Sequence, residues 1–181
     1  GLIARKISAT FSSVGIPSFF CDPAQALHGD MGQIEKKDIL IIFSYSGNTS
    51  ELTNMLKYAN RFRIKIIGVA SKSDSLLLKA SDIKILLPRV KESDVIGMVP
   101  TSSTSITLLL GDCLATTVMY KRKFSKDKFK IFHPGGNIGS SLLLAKDIMV
   151  KGNKLPIISF KKNLVDALKI MNQKKLGIIV I

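Results

Sequence analysis

Apolar runs alternate along this chain with segments of helical periodicity. Two continuous apolar runs, residues 38–44 and 64–70, are typical of parallel strands buried on both faces, and residues 82–87 predict a further strand. Helices are predicted from Glu51 to about Arg61, over residues 73–80, and over the long apolar segment 103–120. This alternation predicts an α/β fold with a parallel sheet and helices on both faces. Its ligand is expected at the edge where the carboxyl ends of the strands meet.

The two ends of the chain predict less regular structure. Apolar positions recur at helical spacing over residues 1–14, and Gly15-Ile16-Pro17 ends that helix. A short buried strand is predicted at residues 18–21, followed by a turn or short helix at 23–27. Composition changes near Leu144, after which a strand (155–159), a helix (164–172) and a strand (178–181) are predicted. We therefore expect one domain over residues 1–143 and part of a second over 144–181.

Composition narrows the classes of function. The net charge is +14, from 27 basic and 13 acidic residues, but the lysines are scattered and aromatic residues make up only 7%. We expect no nucleic-acid partner, and the positive field favours a phosphorylated small molecule. The two cysteines lie far apart in no metal-ligand spacing, so neither a disulfide framework nor a metal site is predicted. Without a signal peptide or a membrane-length apolar run, the chain is expected to be cytoplasmic with no membrane partner.

Two clusters of hydroxyl residues precede predicted helices. The first is Ser44-Tyr45-Ser46-Gly47-Asn48-Thr49, and the second is Pro100-Thr101-Ser102-Ser103-Thr104-Ser105. Hydroxyl groups, a glycine that lets the backbone approach, and unpaired N–H groups at a helix N-terminus suit a phosphate group. Either cluster alone is also what ordinary helix capping requires. The presence of both in one α/β domain favours phosphate binding.

Four titratable residues are candidates for proton transfer. The two histidines of the chain, His28 and His133, both lie in turn-like contexts, where imidazole could act near neutral pH or simply complete a turn. Asp30 could orient His28 or cap a turn. Glu51 opens the helix after the first cluster, so it is either close to a bound phosphosugar or complements the helix dipole. Glu92 follows a strand, where a solvated loop charge is the simpler interpretation.

These segments together resemble one known family. SYSGNTSEL after a strand, ALHGDMG upstream, PTSSTS before a helix and FHPGGNIGSSLL are similar to the arabinose 5-phosphate isomerases. These are sugar isomerase (SIS) domain proteins of three-layer αβα architecture, followed by two cystathionine-β-synthase-type (CBS) modules. HGD, SGNTSE and HPGG together are specific, whereas SxSGxT alone marks the wider SIS superfamily.

The resemblance implies a reaction and a site. The family converts ribulose 5-phosphate to arabinose 5-phosphate, a precursor of the Kdo sugar of lipopolysaccharide, without metal or organic cofactor. It assembles as tetramers, so a homo-oligomer is expected. The implied phosphate and substrate ligands are Ser44, Ser46, Thr49, Thr101, Ser102 and Ser103. The residues implied in catalysis are His28, Glu51, Glu92 and His133, and we expect Glu51 or His133 to transfer the proton.

The chain departs from the family in three places. Of the family's GxGKSG turn only Gly1 corresponds, so the preceding strand and helix are expected to be missing. Ser93-Asp94-Val95 stands where the family has Ala-Cys-Pro, which weakens the assignment of a catalytic role to the preceding Glu92. The segment from Asp147 resembles the start of a CBS module that stops halfway. This truncation at both ends predicts a chain that is poorly active on its own.

Other functions remain open at this stage. The chain could be a different SIS phosphosugar enzyme, although HPGG and the CBS-like segment argue against that. It could be a phosphosugar-sensing module, as in transcriptional regulators, although it shows no helix-turn-helix. It could also be a non-catalytic remnant that binds its ligand weakly.

Overall fold

A computed structural model describes residues 1–135 and 143–181 of the chain, in two compact units, Gly1–His133 and Pro134–Ile181. The domain boundary expected after residue 143 stays a prediction, since the contacts divide the chain ten residues earlier and 136–142 lie outside the described residues. The elements of the first unit lie, in chain order, at α1 (Leu2–Ser13), α2 (Pro23–Ala26), a 3₁₀ turn (Asp30–Gln33), β1 (Ile39–Phe43), α3 (Leu52–Phe62), β2 (Lys65–Ala70), α4 (Leu76–Ala80), β3 (Ile83–Leu86), α5 (Ser102–Lys121) and α6 (Lys126–Phe132).

The three strands form one parallel sheet in the order β1-β2-β3. Ile39 of β1 is level with Lys65 of β2, and Ile67 of β2 is level with Ile83 of β3. Each connection passes through a helix, as parallel strands require. The predicted parallel α/β fold is therefore confirmed in this unit.

Successive side chains of β1 point to opposite faces of the sheet and enter two different apolar clusters. Leu40 and Ile42 pack with residues of α3 and α4, such as Leu52 and Leu77. Ile41 and Phe43 pack with the cluster centred on Ile7, Phe11 and Ala115 of α1 and α5. The sheet thus lies between two helical layers, which is the predicted three-layer αβα arrangement.

The close approach of α1 and α5 depends on small residues. The buried positions of α5 recur every four residues and are small: Ser103, Thr107, Gly111 and Ala115. A Cβ atom placed on Gly111 would lie 2.3 Å from side-chain atoms of Ile7 on α1. This small-residue stripe lets the apolar face of α1 lie directly against α5.

The strand predicted at residues 18–21 is wrong. The segment has no regular structure, and Phe19 is 50% exposed. A strand needs a hydrogen-bonded neighbour, and β1 pairs with β2 alone among the described residues. An apolar run without such a partner remains an irregular segment.

The second unit contains α7 (Ala145–Ile148), a 3₁₀ turn (Gly152–Lys154) and α8 (Leu164–Lys174). The predicted helix at 164–172 is confirmed by α8. The strands predicted at 155–159 and 178–181 reduce to one isolated parallel bridge, between Ile157 and Val180. Their backbones exchange few hydrogen bonds, among them Ile158 N–H to the Val180 carbonyl at 2.9 Å. The expected start of a CBS module stays a prediction.

Candidate active site at the carboxyl edge of the sheet

The loops that follow β1, β2 and β3 are joined by one residue, Tyr45, through its backbone carbonyl and its phenol. Its carbonyl accepts hydrogen bonds from the backbone N–H and the hydroxyl of Ser71, at 2.8 and 2.7 Å. Its phenol donates to the Pro88 carbonyl at 3.3 Å and accepts from the Val90 N–H at 2.8 Å. Tyr45 therefore fixes the relative positions of three loops at the edge where ligands bind in sheets of this type.

The hydroxyl loop, residues 44–50, forms a closed turn between β1 and α3. The hydroxyls of Ser44 and Thr49 share a hydrogen bond of 2.7 Å, and Ser44 Oγ also accepts from the Gly47 N–H at 3.1 Å. Gly47 has φ +69°, a left-handed conformation that glycine adopts without strain. Ser46 is exposed, and its hydroxyl accepts from the Asn48 N–H at 3.3 Å.

Between Ser46 and Ser50, three backbone N–H groups are unused among the described residues. Within the described residues, those of Ser46, Thr49 and Ser50 donate no hydrogen bond. They lie just before α3, at the positive end of its dipole. Together with the exposed hydroxyls of Ser46 and Thr49, they form a set of donors suited to an anion.

The same loop is attached to the start of α4. The Gly47 carbonyl accepts from the Leu77 N–H at 3.0 Å, and Asn48 Oδ1 accepts from the Leu76 N–H at 2.9 Å. A Cβ atom on Gly47 would lie 2.3 Å from Ser75 Oγ. Sequence reasoning gave no role to Tyr45, Asn48 or Ser75, because their contacts join residues more than twenty positions apart.

The second hydroxyl cluster is organised by Glu92. Its Oε2 accepts hydrogen bonds from the N–H of Thr101 at 2.9 Å, the hydroxyl of Thr101 at 3.1 Å and the N–H of Ser103 at 3.2 Å. Hydrogen bonding from the Ser103 side chain and from the Thr101 backbone lowers the pKa of Glu92 to about 2. Glu92 is therefore a half-buried carboxylate bound to the start of α5 and not a solvated loop charge. Ser102, the first residue of α5, is half-buried.

The loop between Glu92 and α5 contains the residues that replace the family's Ala-Cys-Pro. Asp94 accepts hydrogen bonds from the N–H groups of Ile96 and Val99, each at 2.9 Å. Partial burial opposes ionisation, but hydrogen bonds from the backbone of residues 96–99 lower the pKa of Asp94. The Asp94 carboxylate thus folds a loop whose apolar side chains are largely exposed, Val95 completely so.

Glu51 lies at the N-cap position of α3, directly after the hydroxyl loop. Its side chain is exposed and accepts from the Ser50 hydroxyl at 2.8 Å. Its own backbone N–H, followed by the Ser50 hydroxyl, lowers the pKa of Glu51. A carboxylate here is ionised at neutral pH and adjoins the unused donors.

Among the described residues, neither histidine forms a hydrogen bond with the hydroxyl loop. His28 is exposed, and its backbone N–H donates to the Gln25 carbonyl at 2.8 Å. Asp30 begins the 3₁₀ turn, with no hydrogen bond to His28 in the described ranges. His133 is half-buried, with Nδ1 2.9 Å from the Phe129 carbonyl and its ring stacked on Phe129 at 3.8 Å. Most of the glycine-rich run after His133 lies outside the described residues.

Two open grooves lie away from these residues. One of about 320 Å³ lies between α3 and α4, and one of about 670 Å³ lies along α8 in the second unit. No group of three or more His, Cys, Asp and Glu side chains in residues 1–135 and 143–181 could hold a metal ion. No helix in these ranges is long and apolar enough to cross a membrane.

Comparison with known proteins gives the family. The pattern of the SIS domain matches residues 1–117, and the chain belongs to the SIS domain family. It is 40% identical over 182 residues to the arabinose 5-phosphate isomerase KdsD of Escherichia coli O157:H7, covering 100% of this chain and 56% of the relative. It is 44% identical over 177 residues to the uncharacterized protein RP505 of Rickettsia prowazekii, covering 98% and 55%. The chain thus spans about half the length of these curated relatives.

Solved structures agree with the fold. A protein of E. coli CFT073 in complex with arabinose 5-phosphate superposes with a TM-score of 0.72 at 35% identity, over 74% of this chain and 71% of that one. A hypothetical protein of Methanococcus jannaschii superposes with a TM-score of 0.57 at 22% identity, over 74% and 71%, which supports the fold alone.

Proposed function

We propose that this protein is a sugar-phosphate isomerase that interconverts ribulose 5-phosphate and arabinose 5-phosphate. The observation that carries the proposal is the hydroxyl loop with its three unused N–H groups before α3, in a chain 40% identical over its whole length to an arabinose 5-phosphate isomerase. The phosphate group would bind to these N–H groups and to the hydroxyls of Ser44, Ser46 and Thr49.

The second hydroxyl cluster would bind the sugar. Tyr45 joins the hydroxyl loop to the segment that leads to Glu92, and Glu92 in turn binds Thr101 and Ser103. The hydroxyls of Thr101, Ser102 and Ser103 are therefore proposed to contact the oxygens of a sugar whose phosphate occupies the hydroxyl loop.

Aldose–ketose interconversion needs a base that moves one proton. From the aldose, the base removes the proton on C2, an enediol forms, and a proton is returned to C1 while the carbonyl moves to C2. Glu51 is ionised at neutral pH and adjoins the phosphate donors, which supports it as this base. His133 and His28 are proposed to serve the oxygens and ring opening. In a homo-oligomer, one of them could be supplied by a second copy.

The proposal is tested by equilibrating the chain with ribulose 5-phosphate in D₂O and following the products by NMR. We expect arabinose 5-phosphate to form slowly, with deuterium at C2. Ser46→Ala should raise KM, because it removes a phosphate donor, whereas Glu51→Gln should lower kcat by a factor of about 10² or more. Glu35→Gln, an equivalent change on the exposed loop before β1, is the matched control.

The outcomes separate the competing functions. A folded chain that neither binds nor converts the two pentose phosphates would refute the proposal. Binding of arabinose 5-phosphate without turnover would instead identify a phosphosugar sensor or a remnant. Turnover of other phosphosugars alone would assign a different SIS enzyme. We also propose, from the same family membership, that the protein is a homo-oligomer with a cytoplasmic location, a CBS module and a role in Kdo synthesis.

A further inference from the structure

We propose that Glu92 is a positioning residue, which holds the N-terminus of α5 and the loop before it, and is not the group that transfers protons. This inference rests on the proposed function, because it concerns how that site is built. It reassigns a residue that the family resemblance places in catalysis.

The first argument is the geometry of Glu92. Three hydrogen bonds, from the Thr101 N–H, the Thr101 hydroxyl and the Ser103 N–H, converge on one oxygen of Glu92, Oε2. The Ser103 side chain is a further donor to the same carboxylate. The hydroxyl of Thr101 also accepts from the Ser93 N–H at 2.9 Å. These bonds close a ring that ties both ends of the loop between residues 92 and 101 together.

The second argument is what α5 lacks without Glu92. Its N-cap residue, Thr101, makes no side-chain capping hydrogen bond, and its first turn contains no acidic residue. A helix start of this kind leaves N–H donors and a positive dipole end unsatisfied. Glu92 supplies both the acceptor and the negative charge from nine residues upstream.

The third argument is chemical. A general base works best when its pKa lies near the working pH. Donors from Ser103 and Thr101 stabilise the Glu92 carboxylate and hold its pKa at about 2. To accept a proton, Glu92 would have to give up the hydrogen bonds that hold α5. The pKa of Glu51 is lowered as well, but its hydrogen bonds come from its own backbone N–H and from the adjacent Ser50 hydroxyl and do not tie it to a distant helix.

The structural part of the inference is tested by amide hydrogen exchange on the ¹⁵N-labelled 181-residue chain at neutral pH. Glu92→Ala should accelerate exchange at Thr101 and Ser103 about tenfold, because the acceptor is lost. Glu92→Gln keeps a side-chain oxygen acceptor and should stay within about threefold of the unsubstituted chain. Glu35→Ala and Glu35→Gln are matched controls, since the Glu35 side chain accepts no hydrogen bond in the described ranges. Unchanged exchange in a folded Glu92→Ala chain would overturn the inference.

The catalytic part is tested by the kinetics of the same variants. Glu92→Gln should retain kcat within about tenfold with an unshifted pH profile, whereas Glu92→Ala should lose considerably more. Loss of turnover in Glu92→Gln as complete as in Glu92→Ala, with the amides of Thr101 and Ser103 still protected, would make Glu92 a proton-transfer group. Absence of turnover in the unsubstituted chain would count against the proposed function, and the exchange measurement would still decide the positioning role.

Discussion

Asn48 lies in the hydroxyl loop, and its side-chain oxygen accepts a hydrogen bond of 2.9 Å from the backbone N–H of Leu76, the first residue of α4. The loop proposed to bind phosphate therefore also serves as part of the N-terminal cap of the next helix but one. Ser75 completes that cap through a longer hydrogen bond of 3.5 Å to the Leu78 N–H. The same few residues thus form the proposed binding site and stabilise the fold around it.

Replacing Asn48 by Ala should destabilise the fold by about 1 kcal/mol, the usual cost of a lost helix-capping side chain. Asn48→Asp keeps an acceptor and should recover most of that loss. The measurement is the free energy of unfolding in urea. Asn54→Ala, on the exposed side of α3, is the control and should be neutral or slightly stabilising. Equal effects of Asn48→Ala and Asn54→Ala would contradict the capping role.

Gly47→Ala should destabilise the protein by about 2–4 kcal/mol. The new Cβ would lie 2.3 Å from Ser75 Oγ and 3.0 Å from the Ala70 Cβ, at a left-handed φ of +69°. The steric overlap and the backbone strain add to each other. A Cβ atom added at Gly32 would have open space around it, so Gly32→Ala serves as the control in the same urea titrations. A Gly47→Ala chain as stable as the control would show that the loop can rearrange freely.

Gly111→Ala tests the contact of α1 with α5. Alanine raises helix propensity by about 1 kcal/mol, but its Cβ would lie 2.3 Å from Ile7, so we expect a net loss of about 1–2 kcal/mol. Combining it with Ile7→Ala should cost less than the sum of the two single substitutions, because the smaller residue removes the overlap. A double-mutant cycle on unfolding free energies measures this coupling. Strict additivity would mean that the two helices do not meet at these residues.

Asp82 should make stability depend on pH. Hydrogen bonds from the Lys65 side chain and then from the Ile66 N–H lower the pKa of Asp82, each donor lying 2.8 Å from the carboxylate. Because the folded pKa is depressed, its contribution is present above the ordinary aspartate pKa and is lost as pH falls through the folded value.

The measurement is the difference in unfolding free energy between the unsubstituted chain and Asp82→Asn, at neutral and at acidic pH. We expect the difference to shrink as pH falls below the ordinary aspartate range. Asp74→Asn is the matched control, since the Asp74 side chain has no hydrogen bond in the described part of the chain. A difference that stays constant with pH would exclude this role for Asp82.

The order of the three strands and of the helices between them could be predicted from the sequence, because each strand pairs with the next one along the chain. The runs at 38–44 and 64–70 became adjacent parallel strands, with α3 between them as their spacing indicates. The apolar run at 18–21 failed, because hydrophobicity does not reveal whether a strand has a hydrogen-bonded neighbour. The runs at 155–159 and 178–181 do meet, but they form only one bridge, at Ile157 and Val180, so the two strands predicted there are also wrong.

Only part of the candidate site could be predicted from the sequence. Hydroxyl clusters before helices are local signals, so the hydroxyl loop and the start of α5 could be located. The use of Asn48 to cap α4, and of Glu92 to cap α5, depends on loop geometry between distant residues and has no local signature. The roles of His28 and His133 stay predictions.

The bonds of Tyr45 limit how this molecule can change. Because the backbone carbonyl and the phenol of one residue hold three loops at fixed distances, an insertion or deletion in any of them would detach the carbonyl from Ser71 or the phenol from Val90. Lengthening the segment that follows β3 would therefore disturb the hydroxyl loop some forty residues earlier in the chain. Attempts to exchange these loops with those of other SIS proteins should transfer all three together.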